Sequence, residues 1–327
     1  MRRNALVLIA ALWLCPRAAS AGDNDLVLGR LGTVVDDGAG APHTVGQNLE
    51  FRSLVSELGV ALAPRLSTPA DTLGFGGFQF SADLSWTSIS STRPYWRALQ
   101  ASPDPAGTGA MAHGESMLSN LGLFVRKGMW FPVPSLEFGA GAVHLMDSRL
   151  WTAQGYAKLA LHEGYHDLPI PSLAVRGAVS RLMGQKELDL TVVSIDASIG
   201  KQFGVGGTWN ANPYLGYDAL IIIPRSEVID PTPNVDGLDP ANMADRDLDF
   251  VFRDQDDIIR HRVFVGAKLR YYVFAITLEG TYAMAGNSVD DRPTDAVCTT
   301  NSRTTNCDST DQAAAQKTFA VSTGFDF

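Results

Sequence analysis

Apolar and polar residues alternate along most of this chain, in segments of about ten residues, and that pattern limits the fold more than any other feature. In Phe78–Trp86, Phe78, Phe80, Ala82, Leu84 and Trp86 fall on one face, and Gln79, Ser81, Asp83 and Ser85 on the other. A strand sends successive side chains to opposite faces, whereas a helix would scatter these residues round its circumference. The same alternation predicts strands in 54–62, 116–127, 136–145, 152–162, 173–181, 188–200, 209–223, 260–271, 273–283 and 318–327. Heptads are missing, and no helical stretches separate the strands, which argues against a parallel α/β architecture.

The first 21 residues are of a different kind. Arg2 and Arg3 precede an apolar run, and Ala19-Ser20-Ala21 offers a small-residue cleavage site, as in a secretory signal peptide. Without them the chain keeps 23 basic and 35 acidic residues, a net charge of −12. So acidic a chain repels phosphate, and nucleic acid is not an expected partner. The longest apolar run, Ala5–Cys15, has 11 residues and is too short for a spanning helix, which needs about 20. With 45% hydrophobic residues there is ample material to bury, so global disorder is excluded.

The last segment ends the chain on an alternating row, Phe319, Val321, Thr323, Phe325 and Phe327. It resembles the closing strand of Gram-negative outer-membrane β-barrel proteins. The resemblance implies an all-β fold, a transmembrane antiparallel up-and-down barrel, in the outer membrane of a Gram-negative bacterium. It also implies contact with outer-membrane lipid and, during assembly, with the barrel-insertion machinery, for which Phe325 and Phe327 form the signal. Such barrels carry short turns at one end and long loops at the other. Segments 90–114, 224–259 and 285–316 are long and polar and fall on one side. Turns 128–135, 163–171, 201–208 and the tight one near Tyr272 fall on the other, although the short connections 146–151 and 183–187 share the long-loop side.

Eleven strands would start the barrel at its outer end, so a twelfth, Leu26–Val35, followed by an outer loop Asp36–Asn48, brings the expectation to about 12, with 10 and 14 as alternatives. Residues 22–327 are then one barrel domain. Trp86, Trp130, Phe131, Trp151, Tyr214, Tyr217, Tyr271 and Tyr272 suit interfacial girdles. The phase of the strands turns Glu57, Asp83, Glu137, Asp196, Asp218 and Glu279 inward, together with Arg126, Lys158, Arg176 and Lys268. These charges could pair across a narrow lumen and shut it, or line a constriction that selects solutes. A passive pore or transporter for small or hydrophobic solutes is the leading expectation. A closed structural or adhesive barrel, whose acidic outer loops bind partners or divalent cations, is the second.

Other motifs point to chemistry less strongly. His162-Glu163-Gly164-Tyr165-His166 matches the zinc-protease pattern HExxH, which needs both histidines on one helical face. Here it ends a strand and runs into Pro169 and Pro171, so no catalytic or metal role is expected of it. A lipid enzyme in the wall would need a serine–histidine pair, and neither His144, near Ser148, nor His261 has an acyl-transfer motif around it. Segment 225–257 carries ten acids. Asp245, Asp247 and Asp249 have the spacing of the first EF-hand ligands, but Phe250 replaces the glycine and Asp256 the glutamate. Ca²⁺ in this loop is the only cofactor suggested. Cys298 and Cys307 bracket eight residues in an exported chain, and a disulfide is expected.

Overall fold

The computed structural model describes residues 22–35, 43–106, 114–129, 131, 135–164, 170–205, 208–231, 248–290 and 310–327. The signal-peptide expectation, Cys298, Cys307, Asp245, Asp247, His166 and Trp130 lie outside them.

Ten antiparallel strands close on themselves: β3 (Phe78–Ser88), β4 (Met117–Met129), β5 (Leu136–Leu145), β6 (Trp151–His162), β7 (Ser172–Met183), β8 (Leu188–Gly200), β10 (Trp209–Ser226), β11 (Ile258–Tyr271), β12 (Phe274–Ala283) and β13 (Gln316–Asp326). Each pairs with its neighbours in chain order, and β13 pairs with β3 to close the ring. Between β8 and β10, the short β9 (Phe203–Val205) pairs with the start of β10 outside the ring. At the seam Phe78 and Phe327 exchange backbone hydrogen bonds of 2.9 and 2.7 Å, so the terminal residue takes part in closure. Closure satisfies every ladder amide internally, which a chain in lipid requires.

The wall is apolar outside and polar inside, the reverse of a water-soluble sheet. In β3 the inward Gln79, Ser81, Asp83, Ser85 and Thr87 are buried, while the outward Phe80 and Leu84 are each 44% exposed. Trp151, Tyr217, Tyr271 and Tyr272 face outward and are exposed, as is Phe131 in its turn. Tyr214 does not join this girdle. It points inward, is 2% exposed, and donates to Glu279 at 2.7 Å. Its phase in β10 matches Asn212 and Asp218, an inward row, and its aromatic character misled the girdle assignment.

Expectation and structure differ most before residue 78. The wall has ten strands, not 12. Leu26–Val35 does not enter it: Leu28–Leu31 form a 3-10 turn, and β1 (Gly32–Val35) pairs only with β2 (His43–Gly46). Segment 54–62 is not a strand either. Asn48–Ala61 form a helix, α1. Leu54, Val55, Leu58, Ala61 and Leu62 recur at helical spacing, but a helix buried on nearly every side also yields pairs that mimic alternation.

These N-terminal elements lie at the long-loop end. Gly22–Leu31 pack on the β3–β4 loop through the backbone bridge Leu26–Leu99. Leu28, Leu31, Phe51, Leu54, Leu58, Trp96, Leu99, Ile229, Phe250 and Phe252 form one buried cluster with the inward residues at the outer strand ends, such as Leu118, Leu188, Leu190, Leu220 and Ile222. Phe51 stacks on Phe252 at 4.2 Å. From α1 the chain then runs down the lumen to the opposite end, where β3 begins. The passage inside the barrel takes the place of the eleventh crossing, so the described chain starts at the long-loop end and the expected twelfth strand does not form.

Two inward tyrosines fit because the residue opposite each is glycine. Tyr156 lies across Gly139 and Tyr214 across Gly266. A Cβ on Gly266 would stand 2.5 Å from the Tyr214 ring and hydroxyl. Gly266→Ala is therefore expected to cost about 1–3 kcal/mol by overpacking, read as a lower urea midpoint for the folded, heat-modifiable barrel.

Candidate functional site: a polar lumen filled by its own chain

The lower lumen is lined by charge, and an extended strap, residues 62–77, passes through it. Such a strap has no ladder or helix to satisfy its peptide groups, and an unpaired buried peptide group is costly. The wall supplies the partners. Asn120 Nδ2 donates to Ala61 O at 3.3 Å, and Ser180 Oγ to Leu62 O at 2.8 Å. Gln154 accepts from Arg65 N at 3.1 Å and donates to Ala63 O at 3.3 Å. Arg262 reaches Pro64 O at 3.3 Å. Arg176 reaches Arg65 O at 3.0 Å and Thr68 Oγ1 at 3.2 Å, and Arg126 reaches Ser67 O at 3.3 Å. Lys158 donates to Pro69 O at 3.2 Å and Asp71 O at 2.9 Å. Lower still, Leu73 N donates to Glu137 at 2.9 Å and Thr72 N to Glu163 at 2.9 Å.

The same cations are each neutralised by an acid of the wall. Arg176 meets Asp196 at 2.7 Å, Arg262 meets Asp218 at 2.6 Å, Lys158 meets Glu137 at 3.1 Å and Lys268 meets Asp326 at 2.6 Å. Arg126 stands 3.8 Å from Asp83 and donates to Gln79 at 2.6 Å. Tyr156 adds a hydrogen bond to Glu137 at 2.6 Å, and the Arg176 guanidinium lies over its ring. The structure thus places nine of the ten residues read as inward on the inner side of the strands. Glu57 is the tenth, and it sits on α1 rather than on the wall.

Glu57 is fully buried and paired with no cation among the described residues. Ser90 Oγ, Ser90 N, Tyr95 Oη, Trp96 Nε1 and Ala314 N all donate to it, the last four at 2.7–3.1 Å. Burial, and the Glu57 charge beside it, push the Tyr95 phenol above its ordinary range, which keeps it protonated as a donor. One carboxylate therefore ties the helix to two outer loops. Sequence reasoning missed Arg262, Gln154, Tyr156 and Tyr214. Their inward phase was legible in the alternation, but without knowledge of the strap nothing marked them out.

At the outer rim Asp25 meets Arg149 at 3.0 Å and accepts from the N–H groups of Arg149 and Gly22. Burial pushes the Asp25 carboxyl up, but these hydrogen bonds and the guanidinium outweigh it and hold the carboxyl below its ordinary value.

The motifs with enzymatic precedent are engaged otherwise. Glu163 accepts from Thr72 N and Thr72 Oγ1 of the strap and from Ser135. His144 Nε2 contacts the backbone oxygen of Ser148, whose hydroxyl donates to Leu145 O. His261 pairs with Tyr217 at 2.5 Å on the outer wall. Asp249 is exposed beside Phe250 in the outer cap. No group of three or more potential metal ligands occurs among the described residues.

A cavity of about 120 Å³ remains at the turn end, below the strap, lined among others by Asp71, Gln79, Asn212, Lys268, Arg270 and Asp326. Above it the strap crosses the lumen, bonded to the wall. The chain resembles the Gram-negative outer-membrane β-barrel proteins. No family model and no curated protein matches it. Among solved structures, OmpT, an outer membrane protein of Vibrio cholerae, is 9% identical over 64% of this chain, with a TM-score of 0.25, and this chain spans only 56% of its length. Neisserial surface protein A is 12% identical, covering 77% of this chain and 97% of that one, with a TM-score of 0.27. LpxR from Salmonella typhimurium is 9% identical, covering 74% and 99%, with a TM-score of 0.31. At these values no activity transfers from any of them.

Removing one partner of a buried ion pair typically costs about 3–5 kcal/mol. Arg176→Ala leaves Asp196 unpaired and frees two strap carbonyls, so a loss of that size is expected in urea unfolding. Arg181→Ala, in the exposed pair with Asp189, should cost under about 1 kcal/mol. The depressed Asp25 carboxyl stabilises the rim fully above its unfolded pKa of about 3.9, and that contribution fades as pH falls through its lower folded value. Limited proteolysis should open the outer cap below that range, and Asp25→Asn should flatten the pH dependence.

Proposed function

We propose that the protein is a sealed outer-membrane barrel whose working surface is its outer cap. The supporting observation is the strap. Its peptide groups are bonded to the wall at nearly every level from Leu62 to Leu73. A solute passing through would have to replace those bonds. Above the strap, α1 and the outer loops add an apolar core. In this reading the long loops are not a fringe round a pore mouth. Their described parts are built with residues 22–35 and 43–61 into one cap, whose acidic residues, such as Glu227, Asp230 and Asp249, are exposed for binding partners or divalent cations.

Orientation follows from loop length: the long connections face outward and the short turns face the periplasm. Residue 22 then lies on the outer side and Phe327 on the periplasmic side, an arrangement that carries the N-terminal segment through the barrel.

A gated transporter is the second reading. It is favoured by the chemistry of the strap's attachment, since hydrogen bonds and ion pairs can be exchanged for water more readily than apolar packing.

Planar-bilayer recording of the refolded mature chain tests these readings together. No conductance steps are expected from the wild type, with or without calcium. Stable ohmic steps would overturn the sealed barrel. Steps confined to Arg176→Met, Lys158→Met would move the assignment to the gated reading. An epitope placed before Asp23 should be reached by antibody on intact cells, and one after Phe327 only after permeabilisation.

A further inference from the structure

The outer wall bears a groove that the sealed-lumen reading does not use. Two cross-strand rows define it. The upper runs Tyr217, Val263, Tyr282, Lys317 and the lower Leu215, Val265, Gly280, Phe319, Trp86. In the lower row every outward position carries a large side chain except Gly280, where a Cβ would meet nothing within 4 Å. The gap is walled on one side by Trp86 and Phe319, stacked at 6.1 Å, and on the other by Leu215 and Val265. The groove, of about 910 Å³, is apolar along its length.

Its outer end differs. Lys317 stands there, exposed, level with Tyr282 and Tyr217, and its backbone N–H is held by Ser88 Oγ at 2.8 Å. Among the described residues no carboxylate lies within ion-pair distance of its ammonium. Tyrosine and tryptophan at this level mark the boundary between hydrocarbon and headgroups. An apolar slot in the hydrocarbon band, ending below one ammonium with no carboxylate beside it among the described residues, complements a lipid with an anionic head.

We propose that this groove is a binding site for an outer-leaflet lipid whose phosphate head carries a net negative charge, with one acyl chain over Gly280 and the phosphate at Lys317. A neutral or zwitterionic lipid would fill the slot equally well but would gain less at the rim. One lysine at an anionic membrane surface corresponds to about a fivefold preference.

Trp86 reports on occupancy. The full mature barrel is reconstituted in phosphatidylcholine vesicles containing a low mole fraction of brominated phosphatidic acid or, separately, brominated phosphatidylcholine. The Trp86 signal is taken as the difference from Trp86→Phe. Quenching is expected to favour phosphatidic acid about fivefold. Lys317→Ala should abolish the preference while leaving the basal quenching, and Gly280→Leu, which fills the slot, should lower quenching by both lipids. Equal quenching by the two lipids in the wild type would overturn the site and leave only annular contact. A preference that survives Lys317→Ala would also overturn it, by placing the anion elsewhere. If inorganic phosphate removes the preference, the rim holds a free anion rather than a lipid. These readouts do not depend on whether the lumen conducts.

Discussion

The peptide groups of the strap are the constraint on which the rest of the lumen depends. A closed barrel bonds its own backbone completely. An extended segment inside it has no such ladder. Most of its carbonyls, with the N–H groups of Arg65, Thr72 and Leu73, find a side chain beyond the strap, while Ala63 N and Thr68 N bond to Val60 O and Leu66 O of the chain itself. Arg126, Lys158, Arg176 and Arg262 answer most of that demand, and none could be buried there alone. Each therefore brings an acid from the wall, and one of those acids, Glu137, brings Tyr156, which in turn requires Gly139 opposite it; Tyr214, with Gly266 opposite, serves Glu279, an acid outside these four pairs. One requirement, a strap without secondary structure, accounts for the four cations, their acids, Tyr156 and Gly139.

The lumen is accordingly layered. The inward row of β8 reads Leu188, Leu190, Val192 at the outer end and Ser194, Asp196, Ser198 below. In β10 Ile222 and Leu220 give way to Asp218, Tyr214 and Asn212. The apolar layer faces α1, whose helix satisfies most of its own peptide groups and offers mainly side chains, with Glu57 O and Ala61 O accepting from Gln316 and Asn120. The polar layer faces the strap, which offers its backbone. In β8 and β10 the chemistry of the inward face changes at the level where the enclosed segment stops being helical, whereas the inward row of β3 is polar from Thr87 to Gln79.

That layering explains what was legible in the sequence. The alternation from Phe78 onward follows from lipid on one side and a filled interior on the other, and it is local. The ten wall strands could therefore be read almost in place. The segment before Phe78 obeys no such rule. In α1 the environment is apolar on almost all sides, so periodicity fades, and the spacing of Leu54, Leu58 and Leu62 fits a strand and a helix equally. In the strap the backbone is served by residues as far as 111 and 198 positions away, Arg176 for Arg65 and Arg262 for Pro64, and no local pattern records that. Tyr214 was legible by phase and was misjudged by residue type. Glu57 has the opposite history. It was read as inward from a strand that does not exist, and it lies inside because a helix carries it there.

The mixed charges had admitted two explanations, pairing that shuts the lumen or a field that lines a constriction. Neither describes what Arg176 does. It pairs with Asp196 on the adjacent strand, and its remaining donors turn to the strap carbonyls. A lumen shut by pairing alone would need the opposite walls to meet, which a ten-stranded ring does not allow without something between them. A lumen lined by a transverse field would leave the inner donors to water and solute. With the strap in place, the wall pairs fix the position of each cation and the strap consumes its free donors. The charge row is thus best understood as a solvent for one particular backbone, shaped in advance by the barrel that holds it.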